Sequence, residues 1–435
     1  MDFVANPEAR SPLPGSLYAS NSGSFERGEA LSGRHNADVV IIGAGMTGLS
    51  TALALRDHGV DVIVLEANEP GWGASGRNGG QINPGLKHDP DEIVKHFGRV
   101  QGDRMIEFSY SAADAVFDIV SRYDIECELV RGGGYRAAVD KRGARAVEGL
   151  YEQCAARGMP VELHDSARMA EATGTNRYTK GFFDRRAGQL NPLKYLRGLA
   201  QATRSAGAKL FCDSSVQNVR KFGSKWLVAT ADGEVVAERI LFATNGYTGP
   251  LIPGLRRTVL PIFSSIVASA PLPEEVAQNI LPGKEVLYEA VRMSVYYRID
   301  EQRRLIFGGR GPMNAASGAD NFRTLSAFAE KFWPAVKSAG WEYGWNGRIA
   351  LTADEYPHIH DLGDGRLVCL GYCGRGIAVA TAIGTQLAAR LEDNKTEIDL
   401  PVVPVTPISF QPFWRIGAVP AMAFKRVQDA IDRLQ

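Results

Sequence analysis

Residues 43 to 48 read Gly-Ala-Gly-Met-Thr-Gly, the spacing GxGxxG, and Glu66 follows roughly 20 residues later. In such a turn Gly43 permits the sharp bend, Gly45 lets backbone approach a pyrophosphate, and Gly48 allows a helix to pack close to its strand. The helix that follows points unpaired amide N–H groups and a positive dipole end at the phosphates, and an acid placed like Glu66 accepts from a ribose hydroxyl. An acid here favours an unphosphorylated ribose. The chemistry implied is the holding of a dinucleotide. Glu66-Ala67 then opens into a run with six glycines between Gly71 and Gly85 (Gly73, Ala74, Ser75, Arg77, Asn78, Gly79, Gly80 and Gln81 among its residues), where a nicotinamide enzyme would normally enter another helical crossover. Such a run cannot be a helix. Its open backbone and small polar side chains suit close wrapping around a large polar cofactor.

The elements that must position these residues are legible around them. Val39 to Ile42 are four consecutive β-branched residues in DVVIIG, a run apolar enough for a central parallel strand. MTGLSTALALRDH, from Met46 to His58, has helical spacing and stops at Gly59; Val60 to Glu66 is a second strand, completing a βαβ unit. Further on, helical patterns cover 91–124, 142–156, 193–206 and 322–333. Strand patterns cover the meander ending at 240–243, VRMSVYYRID from Val291, and RRLIFGGRG from Arg303. RLVCLGY from Arg366 leads through another glycine turn into a helix over 377–391. The first 36 residues read as an arm preceding the first folded element, and 424–434 as an amphipathic stretch.

The composition narrows the partners. With 49 basic and 49 acidic side chains among 435 residues, the chain lacks the charge footprint of a nucleic-acid binder. No apolar run reaches the roughly 18 residues of a membrane span, and no signal-peptide core is seen near the start. Cys127, Cys154, Cys212, Cys369 and Cys373 show neither metal spacing nor a disulfide framework. A reducing, cytoplasmic setting and a soluble chain are expected, with monomer or homo-oligomer left open.

The stretch from Asp38 to Gln81, and GWGASGRNGGQ within it above all, resembles the FAD-binding amine and amino-acid oxidases of the D-amino acid oxidase superfamily. The branch it most resembles holds γ-glutamylputrescine oxidase, L-pipecolate oxidase and the iminodiacetate- and sarcosine-oxidase-like enzymes. EATGTNRYTKGFFDRRAGQLNP from Glu171 and WEYGWNGRIALT from Trp341 are similar to the L-pipecolate enzymes, and VRMSVYYRID to the γ-glutamylputrescine enzymes. The resemblance implies an α/β fold with a Rossmann-like FAD-binding domain (37–90, 191–250 and 345–400) interleaved with a mixed α+β substrate domain (91–190 and 251–344), between an N-terminal arm (1–36) and a C-terminal tail (401–435). It implies that Gly43, Gly45, Met46, Thr47, Gly48, Glu66 and Ala67 hold the adenosine diphosphate half of FAD, and that residues 73–81 follow the ribityl chain and flavin. Val216 would meet the adenine, and Ala243, Thr244, Asn245 and Gly347 would close the pocket. GYCGRGIA (Gly371, Gly374, Arg375, Gly376 and Ile377 within it) resembles the family's last flavin motif.

The same resemblance places two strands over the flavin. On one of them Tyr296 and Arg298 share a side, which Arg292 would share, and Tyr297 takes the other. Tyr297, Arg292, Arg298, Arg348 and Lys87 are expected at the substrate, with Arg310 and His88 as further groups; the arginines suit a carboxylate. Cys373 stands where the motif usually has Asn or Ser. RIALTADEYPHI, similar to the segment that carries the attaching cysteine in sarcosine oxidases, contains none, so noncovalent FAD is expected. His358 and His360, near Asp361 and Asp364, read as polar turn residues rather than metal ligands. The implied reaction is oxidation of the C–N bond of a carboxylate-bearing amine, such as an N-substituted glycine, a cyclic imino acid or a γ-glutamyl-polyamine, with O2 as acceptor. A dehydrogenase serving a quinone or carrier and a noncatalytic flavoprotein are the alternatives.

Overall fold

The computed structural model describes residues 11–417 and position 428. Val39–Ile42 and Val62–Leu65 are buried on both faces, as a central parallel pair requires. They lie in a sheet of order 358–361, 366–370, 233–242, 33–42, 62–65, 209–211, whose inner pairs are all parallel; the hairpin 218–229 is attached along 233–242. The helices Met46–Asp57, Pro192–Ser205 and Gly376–Glu392 share one core on one face of this sheet. The other face is covered by Trp226, Ile252, Leu255 and Val259.

A second sheet of eight strands has the order 341–351, 260–269, 305–309, 296–299, 286–289, 134–138, 180–184, 161–165. Its pairs are antiparallel except 286–289 with 134–138. One face carries an aromatic core of Tyr297, Phe307, Phe332 and Trp333. Tyr296 and Arg298 lie on the other. The chain passes between the sheets several times, so this is an α/β fold in which a Rossmann-like region is interleaved with a mixed α+β region.

Several expectations shift. The first strand begins at Gly33, because Gly33–Ala37 pair in register with Gly233–Ala237 despite their polarity. The helical stretch over 91–124 is two helices, Pro90–Phe97 and Arg99–Arg122, broken at Gly98 with φ +77°. The N-terminal arm is part of the fold: the helix Leu17–Asn21 buries Leu17 and Tyr18, and the Tyr18 ring meets Trp345 edge-on at 5.1 Å. Two apolar residues within a polar stretch leave no periodicity to read. Trp341–Leu351 pairs with Leu260–Ser269, so it extends the second sheet across the boundary expected at 345. The stretch 424–434 lies outside the described residues but for position 428. Among the described residues no helix is long and apolar enough to cross a membrane.

Candidate active site

The phosphate turn has the geometry its sequence requires. Gly43 has φ +110°, and a Cβ on Gly48 would lie 2.0 Å from the Gly43 carbonyl oxygen, so only glycine permits this strand-to-helix approach. The helix from Met46 has no acid in its first turn, and the Met46 N–H donates to Ser75 Oγ (3.2 Å), bringing the 73–81 loop onto the helix N-terminus. Glu66 directly follows the second strand and is half-buried; its carboxylate accepts from the N–H groups of Ala44 (2.8 Å) and Asn68 (3.0 Å). Burial pushes its pKa up, opposed by these N–H groups. Ser214 N–H donates to the Glu66 carbonyl (2.8 Å), which sets the loop of Val216 beside this acid. Ala243 N–H donates to the Ile42 carbonyl (2.9 Å), and Asn245, with φ +41°, accepts from Gly371 N–H (3.0 Å). Thr47 and Tyr372 join their hydroxyls at 2.5 Å. Thus the first and last glycine motifs meet at the carboxyl ends of the parallel strands 33–42 and 366–370, which flank 233–242, where doubly wound folds bind their ligands.

The loop between them is braced by its own side chains. Asn78 donates to the Ser75 carbonyl (2.7 Å) and accepts from Gly80 N–H (2.9 Å). Arg77 stacks on Trp72 at 4.5 Å and donates to the Trp72 carbonyl (2.5 Å), while its own carbonyl accepts from Trp345 Nε1 (2.9 Å). Gln81 donates to the carbonyls of Leu287 and Tyr297, both at 3.1 Å, tying the loop to the second sheet. Gly347 faces Arg77 across a gap that a Cβ would narrow to 3.1 Å.

A cradle of close backbone, a helix start without acid and a half-buried ribose acid together fit FAD. Next to it a narrow cleft is lined by Asn83, Asp89, Tyr110, Arg136, Asp184, Tyr288 and Arg375. Asp89 pairs with Arg136 (2.6 Å) and Asp184 with Arg186 (2.7 Å). Arg375 donates to the Tyr288 hydroxyl (2.7 Å), with its guanidinium 4.6 Å from that ring. Of the four charged side chains on the cleft wall, it alone lacks an oppositely charged partner among the described residues.

The residues expected at the substrate are placed elsewhere. Tyr297 is fully buried in the aromatic core behind the sheet, 4.8 Å from Trp333, and corrects the expectation of a catalytic role. Arg298 is 2% exposed and its donors are all engaged within the protein: Gly79 O (2.8 Å), Gln189 Oε1 (2.8 Å), Leu190 O (3.1 Å) and Tyr18 OH (3.2 Å). It clamps the flavin loop instead of facing a substrate. Arg292 lies in a turn, since the strand covers only Tyr296–Ile299, so the alternation that gave it Tyr296's face does not reach it. Arg348 stacks on Tyr247 at 4.3 Å, outside the cleft lining. Lys87 forms an exposed ion pair with Glu355, and His88 stacks on Tyr356 at 4.3 Å. Arg310 follows the strand 305–309 and is exposed. His358 pairs with Asp354 (2.9 Å) and His360 with the Val403 carbonyl (2.8 Å). The sequence reading missed Arg136, Tyr288 and Tyr110; the signal available was Arg136, a charge between the buried Tyr135 and Ala137 on a strand.

Fold and cradle define a flavin-type dinucleotide oxidoreductase. Residues 38–390 match the family model described as FAD dependent oxidoreductase, and the chain belongs to that family. It is 29% identical over 385 residues to the gamma-glutamylputrescine oxidoreductase of Escherichia coli, covering 88% of this chain and 90% of that one. Glycine oxidase from Geobacillus kaustophilus superposes with a TM-score of 0.74 at 20% identity, covering 86% of this chain and 99% of that one. Iminodiacetate oxidase from Chelativorans sp. BNC1 superposes with a TM-score of 0.67 at 17% identity, covering 85% and 98%. The chain is a FAD-dependent oxidoreductase of the amine and amino-acid oxidase class.

Proposed function

We propose that the protein oxidises the C–N bond of a small amine that also carries a carboxylate, held in the cleft beside the last glycine motif, with noncovalent FAD and O2 as acceptor. The observation that carries this reading is Arg375: a cation on a cleft wall whose one side-chain hydrogen-bond partner among the described residues is the Tyr288 phenol is disposed to take a carboxylate by charge-assisted hydrogen bonds. FAD, when bound, accepts the hydride from the carbon beside the amine nitrogen. The nitrogen gives up a proton, and water then hydrolyses the imine to a carbonyl and an amine. The chain's part is to orient and desolvate. Arg375 fixes the carboxylate and Tyr288 fixes Arg375. The other charges of the cleft are already matched, Asp89 with Arg136 across its wall and Asp184 with Arg186 just outside it. The helix Gly376–Glu392, with no acid in its first turn, aims its free amides at the same end of the site. Cys373 is poorly suited to bond a flavin: its thiol contacts the Gly371 carbonyl at 3.1 Å, and burial pushes its pKa up, away from the thiolate.

The likeness to the gamma-glutamylputrescine enzyme and to the glycine and iminodiacetate oxidases supports an amine that carries a carboxylate. Anaerobic addition of sarcosine, iminodiacetate, L-pipecolate or γ-glutamylputrescine is expected to bleach the flavin with at least one of them. For that amine Arg375→Met should lower kcat/KM by roughly 10- to 100-fold, as the loss of a charge-assisted bond of about 1.5–3 kcal/mol requires, at unchanged flavin content. Bleaching by none would count against the reading.

A further inference from the structure

Beyond the inner cleft, a wider groove of about 390 Å³ opens along the helix Arg99–Arg122. The two spaces share one wall residue, Tyr110. They also divide an ion pair: Asp184 lines the cleft and Arg186, bonded to it at 2.9 and 2.7 Å, lines the groove. The partition between outside and inside is therefore one phenol ring and one bidentate pair. The ring is only 6% exposed and belongs to the main core, but its polar contacts are weak. Its hydroxyl meets the Cys154 thiol at 3.6 Å, a weak hydrogen bond, and the Arg186 guanidinium stands 5.1 Å from its face. Below it lies Gly85, where a Cβ would come within 2.8 Å of the ring.

The groove's charge suits an amine. Asp103, Glu107 and Asp114 line it; Asp103 pairs with Arg99 and Asp114 with Arg131, and its two arginines, Arg157 and Arg186, are engaged with Asp91 (2.7 Å) and Asp184, which leaves Glu107 as the lining carboxylate with no ion pair among the described residues. An ammonium group is drawn to this acidic mouth.

We propose that Tyr110 is the gate between the groove and the cleft, admitting cationic amines and limiting the size of the substrate that reaches the flavin. The proposal rests on the cleft being the substrate site, so its test has one arm that needs no substrate. In the holoenzyme, acrylamide quenching of flavin fluorescence should rise about threefold in Tyr110→Ala and fall in Tyr110→Trp, each at full flavin content. A residue that merely supports the fold would not move quenching in opposite directions. In the second arm, the ratio of anaerobic bleaching rates, γ-glutamylputrescine over sarcosine, should rise about tenfold in Tyr110→Ala and fall in Tyr110→Trp. Unchanged quenching in both flavin-loaded variants overturns the gate, as does an unchanged ratio where both amines bleach. Bleaching by neither amine, with quenching moving as expected, would overturn the substrate reading and leave the gate standing; should Tyr110→Ala fail to hold FAD, the fall in Tyr110→Trp decides.

Discussion

At the scale of single residues, Arg298 shows how a side chain with the chemistry of a ligand becomes a support. Its guanidinium reaches the flavin loop at Gly79, the backbone and side chain of 189–190, and Tyr18 of the N-terminal helix. A Cβ on Gly80 would press to 2.7 Å from its Nη2, so loop and clamp are fitted to each other. Removing the guanidinium leaves two buried carbonyls without their donor. Hydrogen bonds to charged groups are worth about 1.5–3 kcal/mol each, and the loss is partly offset by relaxation. Arg298→Ala is expected to lower stability by about 3–5 kcal/mol in urea unfolding and to reduce bound flavin, since the loop it holds is the cofactor's. A variant with wild-type stability and flavin content would show that the clamp is dispensable. Arg375 is the converse case: placed by its motif among cofactor residues, it is the cleft's cation without a carboxylate partner among the described residues.

At the scale of elements, the turn between the strands Trp341–Leu351 and His358–Asp361 couples the second sheet to the last glycine motif. Thr352 Oγ donates to the Tyr356 carbonyl (2.7 Å) and touches Cys373 Sγ at 3.3 Å. Asp354 holds the turn, accepting from Tyr356 N–H (3.2 Å) and pairing with His358. Burial pushes the Asp354 carboxyl up, but His358 and the Tyr356 N–H outweigh it and set the pKa to about 2. A carboxyl depressed on folding stabilises above its unfolded value of about 3.9, and that contribution is lost as pH falls toward about 2. The gap in urea midpoint between the protein and Asp354→Asn is therefore expected to narrow from about pH 5 to about pH 3. A constant gap would show that the turn does not depend on this charge. The phosphate turn and its helix were legible from residues 38–66 because strand, bend and helix are consecutive, and local sterics at Gly43 and Gly48 settle them. The segment from Val291 was not: its β-rich composition suits a strand throughout, yet the structure turns at 290–295 and removes Arg292 from the expected face.

At the scale of the molecule, all five cysteines are buried and free. Burial pushes Cys154 up to about 11 and Cys127, Cys212 and Cys369 up to about 12, so thiolate is scarce at neutral pH. The native protein is expected to take up essentially no iodoacetamide near pH 7.5, and five equivalents once unfolded, by intact mass; rapid native labelling would mean that the core opens. Charge balance has a similar whole-molecule meaning. Equal numbers of acids and bases conceal an acidic groove outside and an uncompensated arginine within. By itself the sequence determined the cofactor: the residues that approach a dinucleotide are contiguous glycines whose need for close backbone is a local property. Tertiary structure alone decided which side chains meet the cleft. Arg375 faces Tyr288 and Tyr110 closes on Gly85, while Tyr297 turns into a core, because a side chain's face is assigned by packing partners tens of residues away, whose identity no local spacing encodes.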